Sequence, residues 1–157
     1  MKITHFVYSA LIGVVASCRS MTPMAALAVA RLAKRDTSGT LLLLDRPLFK
    51  YGALAMGIGE LFGDKMQSAP DRTVFPGLSA RVASAGIAGA ALAPRGEEKT
   101  GAAIAISAAV PLAYATLAAR KKAIADIGQT RSGLIEDTLV VALGAAVVFF
   151  ATRSDRH

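Results

Sequence analysis

Five apolar stretches fill most of this chain, at residues 3–32, 47–66, 78–93, 101–119 and 134–151, and two of them contain carboxylates. A transmembrane helix needs roughly 20 predominantly apolar residues to cross about 30 Å of hydrocarbon, a length that most of these runs approach or exceed. The surface helices of a soluble domain keep one polar face. Residues 101–119 carry no charged side chain on any face, and neither do residues 138–152. With 54% hydrophobic residues and a mean hydropathy of +0.48, the sequence predicts an all-α, polytopic transmembrane helical bundle. About five to six helices are expected, in a single integral membrane domain over residues 1–157, in preference to an alanine-rich soluble bundle.

The formal charge of +7 does not point to nucleic acid. Basic residues gather between the apolar runs (Arg31, Lys34 and Arg35; Arg120, Lys121 and Lys122; Arg153 and Arg156), and no aromatic residues interleave with them to stack bases. Such positions suit phospholipid headgroups, so the lipid bilayer is the expected partner, and self-association into a homo-oligomer is left open. Cys18 is alone, which excludes a disulfide framework or thiolate metal site, and His5 and His157 lie near opposite ends of the sequence. No nucleophile and base pair, metal cluster or phosphate-binding loop is visible. Neither catalysis nor a cofactor or metal is therefore expected.

Two readings of the N-terminal stretch stand. Lys2, an apolar run and then Val15, Ala16, Ser17 and Cys18 have the form of a secretory signal with Cys18 as a lipidated residue. Alternatively, residues 3–17 and 24–32 are two short helices broken at residues 18–23, because Pro23 lacks a backbone donor and biases Thr22 away from helical geometry. Broken backbone at membrane depth is tolerated only where it is buried in protein or lines a wet cavity. A re-entrant hairpin, one interrupted helix and two separate crossings all fit that pattern.

Farther along, residues 34–40 form a polar connector, residues 41–44 a leucine patch suited to the membrane interface, and Pro47 the first turn of a helix. Residues 126–132 lead into the last span. Pro23 with Ala25, Ala26, Leu27, Ala28 and Arg31 is echoed by Pro111 with Ala113, Ala115, Leu117, Ala118 and Arg120. Each is followed by a helix bearing an acid pair, as a three-plus-three inverted repeat would require, although alanine-rich helices also resemble one another by chance. Six crossings would distribute ten basic residues to one side and eight to the other, too even for the positive-inside rule to set the orientation.

Glu60 and Asp64, four apart, share one helix face that Met56 continues inward, and Ala55, Gly59 and Gly63 form a neighbouring small stripe for a close helix. An acid at the bilayer centre costs roughly 2.5–3.5 kcal/mol on insertion scales, so Glu60 needs a partner among Arg19, Arg81 and Arg120. That partnership is either a buried ion pair that fixes helix register or part of a cation or proton site. Glu136 and Asp137 fall in the expected first turn of the last helix, where the macrodipole favours carboxylates by roughly 0.3–1 kcal/mol. Ala85, Gly89 and Ala93 make a small packing stripe, and Pro111 should kink its span, as a packing bend or a gating hinge.

In order along the chain come Arg19, Ser20, Met21, Thr22 and Pro23 before an alanine-rich helix, then Glu60, Asp64 and Lys65, then Pro70, Arg72, Thr73, Pro76, Gly77 and Arg81, and finally Glu136 and Asp137. This order resembles a bacterial integral-membrane family known as domain of unknown function 4126, over nearly the whole chain. The resemblance implies a small multi-pass protein of the bacterial inner membrane and singles out Arg19, Pro23, Glu60, Asp64, Lys65, Arg72, Arg81, Glu136 and Asp137. It implies no activity. The expected function is passage of a small solute or ion, with Glu60 and Asp64 as the cation or proton site, Arg19 and Arg81 as charge partners, and Glu136 and Asp137 as further candidates. The competing expectation is a non-transporting scaffold or interaction subunit whose charges only lock helices together.

Overall fold

Pro23 breaks the first apolar stretch into two helices. The computed structural model describes residues 2–39, 41–63 and 75–154, and within it α1 (Lys2–Cys18) ends three residues before α2 (Thr22–Leu32) begins. Pro23 lies in the first turn of α2, where its missing N–H is no loss. A 3₁₀ turn (Leu42–Asp45) buries Leu44 and leaves Leu42 exposed. It leads into α3 (Pro47–Gly63), followed by α4 (Phe75–Leu92), α5 (Glu98–Ile127) and α6 (Gln129–Ser154). No strand occurs among the described residues.

The helices alternate in direction. At one end of the bundle the Ser9 hydroxyl donates to the Gly89 carbonyl at 2.9 Å, and the Gly39 N–H to that of Ala91 at 3.0 Å. At the other end the Arg81 Nε donates to the Ser17 carbonyl at 3.2 Å. α1 lies at the centre against α4 and α5, α6 covers α1 and α2, and α3 packs on α2 and the 3₁₀ turn.

The α1–α4–α5 contact is made by small residues. A Cβ added to Gly101 would lie 2.5 Å from the Gly89 carbonyl oxygen, and one on Gly13 would lie 2.3 Å from that of Ala105. Ala85, Gly89 and Ala93 are all buried, so backbones approach closely where no side chain intervenes.

α5 and α6 are longer than the apolar pattern alone suggests, because one glycine makes the turn between them. Gly128, at φ +85°, stands in the left-handed region that glycine adopts without steric cost, and residues 126–132 are otherwise helical rather than a lead-in. Glu136 and Asp137 are therefore the eighth and ninth residues of α6, not members of its first turn, which holds no acid. The macrodipole account of these two carboxylates is overturned, since that effect fades beyond the first turn.

α3 presents a different face from the expected one. Met56 is 58% exposed, Ala55 and Gly59 are exposed, and nothing approaches Gly59. The packing face is instead that of Ala53 and Gly57; a Cβ on Gly57 would lie 2.9 Å from the Ala25 Cβ of α2. Gly63, the third member of the expected stripe, is the last described residue of α3.

Two helices, residues 98–126 and 130–153, are long and apolar enough to cross a membrane. Only 17% and 33% of their most apolar windows are buried within the chain. A core helix of a soluble domain would be mostly covered by its own chain. Here Tyr114, Ile135, Leu139 and Phe150 face outward, each more than half exposed.

Candidate functional site

The interruption between α1 and α2 leaves the last carbonyls of one helix and the first amides of the next without intrahelical partners. Charges of matching sign meet both. At the carbonyl end, Arg81 of α4 donates from Nε to the Ser17 carbonyl and from Nη1 to its own Gly77 carbonyl at 2.8 Å. The Thr116 hydroxyl of α5 also reaches the Ser17 carbonyl, at 3.4 Å. At the amide end, Glu60 of α3 accepts the Ser20 N–H at 2.8 Å and the Ser20 hydroxyl at 2.6 Å on Oε1, and the Met21 N–H at 2.8 Å on Oε2. A cation at a helix C-terminus and an anion at an N-terminus each complement the local dipole.

Between these caps lies Arg19, 1% exposed and the largest fully buried side chain. Its Nη2 donates to Oδ1 of Asp137, which is 7% exposed. One residue earlier on α6, Glu136 accepts from Arg120 Nη1 of α5 at 3.0 Å. Arg120 and Glu136 stand eight residues before and after Gly128, so an antiparallel hairpin at 1.5 Å rise per residue sets both about 12 Å from the turn. The pairing follows from the hairpin.

Three arginines and three carboxylates thus gather at one end of the bundle, formally neutral as a set. Glu60 does not pair with Arg19, Arg81 or Arg120 as expected among the described residues; its oxygens are occupied by backbone amides and a serine hydroxyl. The reason is local, because the broken backbone offers donors that a continuous helix would have consumed. Asp64, Lys65 and Arg72 lie outside the described residues. Pro111 sits exposed within α5, which continues helically through it.

A cleft of about 340 Å³ opens beside the cluster, lined by Cys18, Thr116, Arg120, Ser132 and Glu136 among apolar neighbours. The Arg120 and Glu136 side chains are 13% and 18% exposed, against 1% and 10% for those of Arg19 and Asp137. The second pair is sealed in the bundle, whereas the first lies at an accessible wall. Ser17, Ser20 and Thr116 were not legible as site residues, since a hydroxyl in an alanine-rich helix gives no signal of its own; the unsatisfied groups around Pro23 were the available clue. No family model, curated protein or solved structure matches the chain, so what this charged break does is argued from its geometry.

Proposed function

We propose that this chain is a small multi-pass protein of the bacterial inner membrane, akin to the family of domain of unknown function 4126, that passes a small solute or ion along the cleft beside the α1–α2 break. The observation that carries the reading is the Arg120–Glu136 pair on the cleft wall, next to a sealed Arg19–Asp137 pair. Glu136 is the carboxylate placed to exchange its arginine for a passing cation or proton. Glu60 holds the broken backbone open and acts as a positioning residue. All six helices serve as membrane elements, with the short α2 dipping about 16 Å at 1.5 Å per residue, half of the hydrocarbon layer.

An inverted repeat would make α1–α3 the counterpart of α4–α6. α1 packs on α6, and no comparable α3–α4 packing occurs among the described residues, so the proposal rests on the six-helix arrangement rather than on a repeat. Arg19, Arg81 and Arg120 are engaged inside the bundle, which among the described residues leaves Lys121, Lys122 and Arg131 exposed at that end and Lys34, Arg46, Arg95, Lys99 and Arg153 at the other.

The second reading, a scaffold without transport, is favoured by one specific observation: Glu60, Glu136 and Asp137 all have partners within the chain. Reconstitution separates the two. Transport requires flux of a monovalent cation or of protons through proteoliposomes, lost in Glu136→Gln with the detergent-solubilised fold intact. Absence of wild-type flux for cations, protons and small neutral solutes, with Glu136→Gln merely lowering the melting temperature, would establish the scaffold.

A further inference from the structure

A second cavity lies between α2, α3 and α6, with a volume of about 360 Å³. Its walls are almost wholly apolar, with Ala25, Val29, Ile58, Ala145 and Phe149 prominent; Thr22, Thr152 and Arg35 are the polar residues lining it. Val29 and Ile58 are each more than half exposed, so the groove is open along its flank. It exists because α3 packs on α2, with no comparable α3–α6 packing among the described residues, leaving the space between the two outer helices unfilled.

The groove follows α2 from Thr22 to Ala33 and Arg35. That path is about 16–18 Å at 1.5 Å per residue, close to half of the roughly 30 Å hydrocarbon layer. Its charged end coincides with the basic end of the bundle. The Arg35 guanidinium stands 4.4 Å from the centroid of the Phe149 ring, and no carboxylate pairs with it among the described residues, Asp36 being taken by Arg31 at 2.8 Å. Lys34 and Arg153, both exposed, flank it in sequence and at the end of α6.

We propose that this groove is a binding site for one anionic phospholipid, one of its two acyl chains along α2 and its phosphate at Arg35. Length, apolar walls and a cation held by an aromatic ring at the headgroup level select a lipid rather than a soluble anion, which would have no use for the apolar depth. A zwitterionic lipid gains less, because its headgroup brings a cation of its own to a basic rim. The inference rests on the membrane reading of the fold and is independent of any transport.

Native mass spectrometry of the full chain released from detergent tests it, with phosphatidylglycerol and phosphatidylcholine of identical acyl chains as probes. One phosphatidylglycerol per chain should be retained, about fivefold in preference to phosphatidylcholine, the scale of one basic residue at an anionic surface. Arg35→Gln should abolish the preference and leave weak binding of both lipids. Ala145→Phe, which fills the groove from the exposed side of α6, should remove retention of both, and Lys122→Gln at the opposite end should change nothing. Equal retention of the two lipids by the wild type, or indifference to both Arg35→Gln and Ala145→Phe, overturns the site. So does a dimer dissolved by Ala145→Phe, since a second copy would then be the occupant. A chain that fractionates with membranes yet shows no preference refutes only the lipid site, whereas one recovered from cytosol without detergent refutes the membrane reading as well.

Discussion

The middle and the C-terminal end of α1 are held by opposite means. Its middle packs on α4 and α5 through the absence of side chains, at Gly13, Gly89 and Gly101, whereas its C-terminal end is fixed by a cluster of buried charges. Close packing suffices where the helix is continuous and its backbone groups are internally satisfied. Where Pro23 ends that continuity, freed carbonyls and amides need partners, and arginines and carboxylates supply them.

The contrast can be broken most severely at the sealed pair. Arg19→Ala strands Asp137 and should destabilise the protein by about 3–5 kcal/mol, whereas Arg19→Met combined with Asp137→Leu should recover most of that loss; thermal unfolding in detergent measures both. Failure of the double variant to recover would mean that Arg19 is needed for more than its partner. Gly101→Val, on the packed side, should cost about 1–3 kcal/mol through overpacking against the Gly89 backbone, without a change at the break. Glu60→Gln keeps one acceptor for the Ser20 and Met21 amides but turns an amino group toward the other, at a cost of about 1.5–3 kcal/mol. Hydrogen exchange should report that loss first at the start of α2. The smallest effect belongs to Arg120→Gln, at about 1 kcal/mol, the scale of one net hydrogen bond, and its signature should be altered flux more than stability.

That ordering also separates what the sequence made legible from what it hid. The break at Pro23 was readable because one residue type fixes a backbone angle and removes a donor, and the small-residue stripe of Ala85, Gly89 and Ala93 was readable from its spacing. The facing of α3 was not. Ala53 with Gly57 and Ala55 with Gly59 are equally plausible stripes, and the choice between them was made by Ala25 on a neighbouring helix. Glu136 and Asp137 were misplaced within their helix for a similar reason. Polar residues around Gly128 read as a lead-in to the last span, yet they continue both helices and bring Arg120 opposite Glu136. Which carboxylate met which arginine depended on helix register across contacts distant in sequence, and no local pattern carries that.

Site-directed cysteine accessibility in intact membranes tests the surrounding medium most directly. In a Cys18→Ala background, single cysteines at Ala142, Leu143 and Phe150, all exposed on α6 and outside both cavities, are expected to resist a membrane-impermeant maleimide while cysteines at Lys34 and Arg131 react from opposite sides. Ready labelling of all three α6 positions in the native fold would contradict the claim that lipid, rather than water, covers this surface.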